Sequence, residues 1–221
     1  MPMEVATADP AQASGPVASR WRRRKEARPG EILDAALAEF AARGFAAARM
    51  EDIAGRAGVT KGTLYLYFPS KEELFKTLVR ESIGAVIAAR QAEADMFEGS
   101  AAELLATVLR FMGYFARTSD RAVLPKIMMA EAGNFPELVR FYRAEVVDRG
   151  MALLSAIIVR GIARGEFRAV DPQHAARLCI APMLLVILWR TSFALPDAAA
   201  WNLEELIEAH IDVLLKGLAA R

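Results

Sequence analysis

The chain has 221 residues, of which 54% are hydrophobic and 25% charged, so it can bury a sizeable core and is not an intrinsically disordered protein. Its formal net charge of +1 does not by itself indicate a nucleic-acid partner. A single cysteine, Cys179, excludes an internal disulfide and suits a reducing compartment. The apolar spacing is helical almost throughout, which predicts an all-α fold.

Export and membrane signals are weak. The N-terminus lacks the apolar core of a signal peptide. The longest apolar run, Leu178 to Trp189, is bounded by Arg177 and Arg190 and falls short of the ~20 residues that span a bilayer. We therefore expect a cytoplasmic protein with no membrane partner.

Residues 1–27 form a basic N-terminal arm. They are rich in Ala, Pro, Ser and Arg and lack helical periodicity, which predicts disorder in the absence of DNA. Residues 1–80 carry 13 basic and 10 acidic groups, whereas residues 81–221 carry 15 and 17. Most of the excess lies in Arg20, Arg22, Arg23, Arg24, Lys25 and Arg28. Either the arm reaches the backbone or minor groove of DNA, or it is a solvated charge run that aids solubility.

Apolar periodicity and capping residues predict four helices in the next stretch. They cover about 29–43, 50–57, 61–68 and 71 to beyond 90. Gly44 ends the first helix, and Gly58 permits the positive φ of a sharp turn after the second. Thr60 caps the third helix, and Ser70 with Glu73 forms a capping box for the fourth. The fourth helix is long enough to connect two units.

The remaining sequence predicts a bundle of longer helices without an internal repeat. These helices cover about 101–118, 121–132, 137–164, 172–193 and 203–219. We place the boundary between a small N-terminal unit, residues 28–75, and the bundle, residues 76–221, inside the connecting helix.

The pair of short helices around Gly58 has the pattern of a homeodomain-like helix-turn-helix. Ala54 is small enough for close helix crossing, and Leu64 and Phe68 are one turn apart and point inward. The outer face then holds Thr60, Lys61, Gly62 and Tyr65. In such motifs, the N-terminal residues of the second helix reach base edges in the major groove of DNA.

The residue types on this outer face suit nucleic-acid contact. Lys61 can bind a phosphate or a guanine edge, and Gly62 allows close approach to the groove. Hydroxyl groups for phosphates or bases come from Thr60, Thr63, Tyr65 and Tyr67. The charge of Lys71 opposes the dipole at the start of its helix, so a phosphate partner is a good candidate. The alternative is a small three-helix bundle whose polar face is merely solvated.

Residues 28–76 closely resemble the tetracycline-repressor family of regulators. The resemblance rests on Ile32 to Ala36, Phe40, Gly44-Phe45, Asp52 to Ala54, Ala57 to Val59, Thr60 to Phe68 and Ser70 to Leu74. A weaker similarity, from Met129 through Glu131, Phe135 and Pro136 to Phe141, points to an efflux- and stress-linked subgroup of that family.

The resemblance implies a homodimer, a palindromic operator in double-stranded DNA, and repression relieved by a ligand. It implies that Thr60, Lys61, Gly62 and Tyr65 face DNA, with Tyr67 and Lys71 on phosphates. One position departs from the family pattern, which often has Thr where this chain has Ala48. Ala48 cannot cap the second helix or touch phosphate, and Arg49 would supply that contact instead.

The last two predicted helices suggest a dimer surface. The final helix has a wide apolar face made of Leu203, Leu206, Ile207, His210, Ile211, Leu214, Leu215 and Leu218. The preceding helix is apolar nearly all round, as expected of a helix between a subunit core and a partner. The alternative is that both helices simply pack inside a monomer.

Bulky apolar residues in the central helices suggest a pocket for a small hydrophobic or aromatic effector. The group contains Tyr114 and Met129, and its preferred ligand contacts are Phe111, Met112, Phe115, Met128, Trp189 and Phe193. Candidate polar anchors are Arg121, Lys126, Glu131 and Arg190. The alternative for each apolar residue is ordinary core packing.

No pattern indicates an enzyme, a metal site or a cofactor. The sequence lacks a Gly-rich phosphate loop and a nucleophile elbow, and His174, His210 and Cys179 lack metal-ligand spacing. Cys179 fits a buried small residue better than a redox sensor. Besides a ligand-responsive repressor, two interpretations stay open. One is an architectural or interaction protein that binds DNA without ligand control, and the other is an activator.

Overall fold

The structure is a computed structural model that describes the backbone of residues 16–194 and 201–220, and the side chains from residue 29 onward within those ranges. The described part is helical, with one isolated β-bridge between Phe167 and Ala219, so the predicted all-α fold is confirmed.

The N-terminal unit consists of four helices. They are α1 Pro16–Ala47, α2 Met50–Arg56, α3 Lys61–Tyr67 and α4 Lys71–Val79. Gly44 has φ 77° and Gly58 has φ 66°, so both predicted glycine breaks are confirmed. Ser70 Oγ accepts the Glu73 N–H at 3.1 Å, as predicted, but the Glu73 carboxylate pairs with Lys76 at 2.8 Å.

Helix α1 begins well before the predicted start at Pro29. Residues 16–27, which we predicted to be disordered, have helical backbone in this structure. The reason is local composition, because this stretch is made mostly of Ala, Arg, Lys and Glu, which are good helix formers. Residues 1–15 lie outside the described residues, and contact between the arm and DNA stays a prediction.

Seven further helices follow within the described ranges. They are α5 Ala85–Met96, α6 Ala101–Thr118, α7 Leu124–Glu131, α8 Pro136–Tyr142, α9 Arg149–Ala163, α10 Pro172–Leu188 and α11 Leu203–Leu218. A 3₁₀ turn, Asp120–Val123, precedes α7. Three π-helical turns, Arg80–Gly84, Arg143–Asp148 and Trp189–Phe193, carry the chain from α4 into α5, from α8 into α9, and past the end of α10. The predicted long helix 137–164 is therefore α8 and α9 joined by a π turn.

Two hydrophobic cores organise the chain. The first core contains residues of α1–α4 and also five residues from beyond the connector, namely Leu124, Ile127, Met128, Leu138 and Tyr142. The second core is formed mainly by α6, α9, α10 and α11, and Phe115 packs against both. The N-terminal unit thus shares its core with α7 and α8.

The segment Pro172–Phe193 is long and apolar enough to cross a membrane by length and composition alone, and 28% of its most apolar window is buried. This differs from the expectation based on the shorter run that ends at Arg190. The core helices of soluble proteins have the same length and composition.

Candidate nucleic-acid interface and effector site

The turn between α2 and α3 has the geometry of a helix-turn-helix. The Val59 N–H donates to the Ala54 carbonyl at 3.0 Å, and Thr60 Oγ1 accepts the Thr63 N–H at 3.1 Å, which caps α3. Leu64 is fully buried and Phe68 nearly so. The inner face of α3 is therefore fixed to the first core, and its outer face is left to solvent.

The outer face of α3 carries the predicted DNA contacts. Thr60, Lys61, Gly62 and Tyr65 are all exposed. Thr63 and Tyr67 are half-buried at its edges: the Thr63 hydroxyl lies 2.9 Å from that of Thr60, and Tyr67 packs against the first core.

Sequence reasoning missed Leu66, which is 85% exposed on α3. The signal was available, because Leu66 follows Gly62 by one helical turn and shares its face. A leucine exposed to water here contributes little to the stability of the fold, but it can contact a thymine methyl group. Leu66 therefore adds an apolar contact to a polar face.

Lys61 forms an ion pair with Glu51, the second residue of α2. Its Nζ also lies 5.8 Å from the centre of the Tyr65 ring. The hydrogen bond between the two side chains raises the pKa of Lys61 and lowers the pKa of Glu51. A phosphate or a guanine that binds Lys61 must therefore compete with this carboxylate.

The N-terminus of α2 has no side-chain cap. Arg49 is the N-cap residue, is exposed and makes no capping hydrogen bond, whereas Ala48 is buried. This agrees with the expectation that Ala48 provides no cap. Arg49 has the exposure that a phosphate contact requires, and the contact itself remains a prediction.

Backbone carbonyls are the partners of Lys71 in this structure, so its position at the start of α4 has an explanation other than the predicted phosphate. Its Nζ donates to the carbonyl oxygens of Phe45, Ala46 and Ala48 at 2.8, 3.0 and 2.9 Å, and it lies 4.7 Å from the centre of the Phe45 ring. Three acceptors use all three donors of an ammonium group. Burial lowers the pKa of Lys71, and the carboxylates of Glu72 and Glu131 oppose that shift.

A buried carboxylate fixes the crossing of α1 and α2. Glu39 is 2% exposed and pairs with Arg43 at 2.9 Å and with Arg56 at 3.2 Å. Arg43 also bonds Asp52 at 3.2 Å. Because a buried carboxylate without a partner is costly, these arginines hold the supporting helix of the motif in one orientation.

The six predicted ligand contacts lie in different surroundings. The Arg90 guanidinium carbon lies 4.4 Å from the centre of the Phe111 ring. Met128 belongs to the first core, and Phe193 is exposed. Met112 and Phe115 are half-buried against the second core, and Trp189 stacks on Trp201 with ring centres 3.8 Å apart. Met112, Phe115 and Met128 thus follow the core-packing alternative.

The candidate polar anchors are engaged by protein atoms. Lys126 Nζ donates to the Thr191 carbonyl at 2.6 Å, and the Arg190 guanidinium donates to the Ser119 carbonyl at 2.5 Å. Arg121 bonds Ser82 and Asp34, and Glu131 accepts the Ala46 N–H. These four charges therefore hold elements together in this structure.

Two depressions on the described surface are wide and open to solvent. One of about 440 Å³ lies between α1, the 3₁₀ turn and the end of α10; it is lined by Asp34, Leu37, Ala38, Ala41, Asp120, Val123, Arg190 and Thr191. The other, of about 380 Å³, lies between α5 and α9; it is lined by Ile87, Ala88, Gln91, Ala92, Asp95, Arg149 and Ala152. Neither contains any of the six predicted ligand contacts.

The predicted dimer helices are partly buried and partly exposed. On α11, Ile207 and Ile211 pack into the second core, as the monomer alternative requires. On α10, however, Leu178 and Leu185 are 62% and 42% exposed, and Val213 of α11 is 70% exposed. An apolar surface thus remains on both helices.

The two histidines and the cysteine lie in ordinary environments. The His174 N–H donates to Asp171 at the start of α10. His210 is half-buried on α11, and burial raises the pKa of the Cys179 thiol to about 12, which disfavours thiolate chemistry. Among the described residues, no group of three or more His, Cys, Asp or Glu side chains could hold a metal ion.

Comparison with known proteins covers both units. Residues 32–78 match the profile described as bacterial regulatory proteins, tetR family, and residues 98–207 match a tetracyclin repressor-like C-terminal domain. The fatty acid metabolism regulator protein of Bacillus subtilis is 31% identical over 199 residues, 88% of this chain and 98% of the relative. The repressor KstR2 of Mycobacterium tuberculosis is 31% identical over 142 residues, 64% of this chain and 70% of the relative.

The fold comparison agrees. The crystal structure of the transcriptional regulator FadR from Bacillus subtilis, in complex with stearoyl-CoA, is similar to this chain with a TM-score of 0.71 and 25% identity. The similarity covers 85% of this chain and 98% of that structure.

Proposed function

Because this chain belongs to the TetR family of bacterial transcription regulators, we propose that it is a homodimeric repressor that a small hydrophobic effector releases from a palindromic operator. Members of this family are DNA-binding regulators and not enzymes. The dimer, the palindrome and the effector are our proposals.

The exposed outer face of α3 carries the proposal. Thr60, Lys61 and Tyr65 place two hydroxyls and an ammonium at the N-terminal end of a helix whose inner face is fixed by Leu64. We propose that this end enters the major groove, that Leu66 contacts a thymine methyl group or a sugar, and that Arg49 binds a phosphate. Thr63, Tyr67 and Gly62 complete the surface, whereas the ammonium group of Lys71 is held by three backbone carbonyls and is not part of it.

The exposed leucines of α10 support a dimer. Leu178 and Leu185 are two turns apart on one face, so they would lie in line along a partner helix. Two copies of α10 and α11 would then form a four-helix interface. A two-fold dimer reads two half-sites whose centres are roughly 34 Å, or a multiple of one DNA turn, apart.

The proposed effector is hydrophobic. The relative from Bacillus subtilis is named a fatty acid metabolism regulator, and the similar crystal structure contains stearoyl-CoA. In this chain, Met112 and Phe115 lie half-buried on α6, and Phe115 touches both cores. We propose that an acyl chain enters beside these two residues and changes the distance between the recognition helices. The effect on DNA affinity cannot exceed the difference in effector affinity between the two states.

Substitutions on α3 test DNA recognition. The operator can be obtained by selecting duplexes from a random pool with the wild-type protein. We expect Tyr65→Ala and Lys61→Ala to weaken binding to the selected duplex by roughly tenfold or more, because each removes a contact worth about 1–3 kcal/mol. The binding is measured by fluorescence anisotropy, and circular dichroism checks the fold. Lys216→Ala, which removes an exposed lysine from α11, is the control and should bind normally.

A separate titration tests the effector. Stearoyl-CoA added to the protein–duplex complex should release the labelled DNA, whereas coenzyme A alone should not. DNA binding that responds to no acyl chain would favour the architectural interpretation instead. The architectural interpretation is supported by one observation, namely that both depressions are open to solvent and do not enclose a ligand-sized space.

A further inference from the structure

The corner between α1 and α2, residues 44–48, is held by the C-terminal bundle as well as by its own unit. We call it the α1–α2 corner. It begins with the positive φ of Gly44 and ends at the buried Ala48, one residue before the N-cap of α2. Any displacement of this corner moves α2, which packs directly against the recognition helix α3.

Glu131, the last residue of α7, contacts this corner. Its Oε1 accepts the Ala46 N–H at 2.9 Å, and its Oε2 accepts from the Asn134 side chain at 3.2 Å. The residue is only 8% exposed, although it is charged. A buried carboxylate at the junction of two units is costly unless its hydrogen bonds are made, so its position and that of the corner depend on each other.

Lys71 and an aromatic cluster make the corner stiff. Lys71 binds the carbonyl oxygens of residues 45, 46 and 48, so the corner has its N–H held by α7 and its carbonyls held by α4. The Phe45 ring packs edge-on against Phe135 at 4.9 Å and against Phe75 at 5.3 Å. A stiff corner passes a displacement on to α2 instead of absorbing it.

The other end of α7 is attached to the end of α10. Lys126 donates to the Thr191 carbonyl at 2.6 Å, in the π turn that follows α10. Helix α7 is thus a short strut with one hydrogen bond to the end of α10 and another to the α1–α2 corner. It lies in the path between the second core, where we place the effector, and the DNA-binding face.

We propose that Glu131 is a positioning residue through which α7 couples the end of α10 to the α1–α2 corner and hence to the recognition helix. The proposal rests on the proposed function in one respect, since it needs the chain to bind DNA. It needs no knowledge of the effector, because coupling between two sites is reciprocal. DNA can therefore serve as the ligand, and its binding should change the properties of α7.

A second contact between the units provides a matched control. Arg121, in the 3₁₀ turn, bonds Asp34 of α1 at 3.0 Å, away from the corner. If Glu131 merely holds the two units together, then Asp34→Asn and Glu131→Ala should have effects of the same kind. If Glu131 is the coupling residue, then only Glu131→Ala should interrupt communication.

Hydrogen exchange measured by mass spectrometry, on the full chain with and without the selected duplex, tests the proposal. In the wild type, DNA should slow exchange in α3 and also change exchange in peptides that cover α7 and the π turn 189–193. We call the change in α7 and in the π turn the distant response. In Glu131→Ala, the α3 response should remain and the distant response should disappear. The Ala46 amide should also exchange at least about tenfold faster without DNA, because it loses a bond to a charged acceptor.

Two further variants complete the test. Glu131→Gln keeps an oxygen that can accept the Ala46 N–H, so it should retain the distant response, and Asp34→Asn should retain it as well. The proposal is overturned if Glu131→Ala keeps the distant response, or if the wild type shows α3 protection without any response at α7. A chain with no α3 protection at all would instead refute DNA binding, so the two failures are distinguishable.

Discussion

In the absence of DNA, Lys61 pairs with Glu51 on the face that we propose to contact DNA. The carboxylate competes with a phosphate for the ammonium group of Lys61, and it adds negative charge close to the DNA backbone. Exposed ion pairs contribute little to stability, so the pair matters mainly for DNA affinity.

We therefore expect Glu51→Gln to bind DNA more tightly, by several-fold at low salt. The reason is that Lys61 no longer has to give up the Glu51 carboxylate in order to bind a phosphate. Because removal of the Glu51 charge leaves Lys61 free to neutralise a phosphate, the slope of log affinity against log salt should steepen by up to about 0.9, the value for one phosphate contact. Fluorescence anisotropy at several salt concentrations measures both. Glu204→Gln, which removes the same charge beside Arg117, should leave the slope unchanged. Unchanged affinity in Glu51→Gln would contradict the inhibitory role.

Lys71 allows a clear distinction between a structural and a phosphate-binding lysine. Lys71→Met leaves the carbonyls of Phe45, Ala46 and Ala48 without their shared donor, so we expect the free energy of unfolding to fall by about 1–3 kcal/mol. Lys76→Met removes an i,i+3 pair with Glu73 and a cation–π contact with Phe141, and should cost less, about 1 kcal/mol. Urea unfolding measures both values.

The salt dependence of Lys71→Met decides its role at the interface. A lysine that only supports the α1–α2 corner should weaken DNA binding without changing the salt slope. A loss of about one unit of slope would restore the phosphate interpretation.

At the scale of helices, the packing of α10 on α11 makes the stability of the fold depend on pH. His210 is half-buried on α11, and burial lowers its pKa from the ordinary value of 6.5, while a hydrogen bond to the Cys179 backbone opposes that shift. Because the folded state binds the proton less readily than the unfolded state, His210 costs no stability at neutral pH. It costs progressively more as the pH falls below about 6.5.

We expect the melting temperature to decrease between pH 7.5 and pH 5, and we expect His210→Gln to reduce that decrease. Thermal unfolding followed by circular dichroism across this range is the measurement. His174→Gln alters the other histidine, which is exposed at the start of α10, and should follow the wild-type profile. Identical profiles for His210→Gln and the wild type would exclude His210 as the group responsible.

Helix positions could be predicted from the sequence because local signals mark them. Gly44, Gly58 and Thr60 fix breaks and a cap through their own backbone and hydroxyl chemistry, and the structure confirms each. The role of Lys71 could not be predicted, because its acceptors lie 23 to 26 residues earlier in the chain and meet it only after folding. Met128 lies in the first core and not in a pocket, and the sequence could not show this because a bulky side chain looks alike in both places.

For the whole molecule, the exposed part of α10 should determine oligomeric state. A charge at Leu178 or Leu185 would be solvated in a monomer but buried without a partner in a dimer, at a cost of several kcal/mol. We expect Leu178→Glu and Leu185→Glu to yield folded monomers in sedimentation experiments. Val147→Glu, at an exposed position in the π turn after α8, should leave the dimer intact. A dimer that survives both leucine substitutions would place the interface elsewhere.

The shared first core limits how this chain can be recombined with others. Five of its side chains, from Leu124 to Tyr142, belong to α7 and α8 and complete the hydrophobic surface of α1–α4. Grafting the first four helices onto another regulator would leave that surface uncovered unless the recipient supplied side chains of similar shape. In this protein, the part that meets DNA and the part that we propose to sense the effector are therefore expected to change together during evolution, as a matched pair.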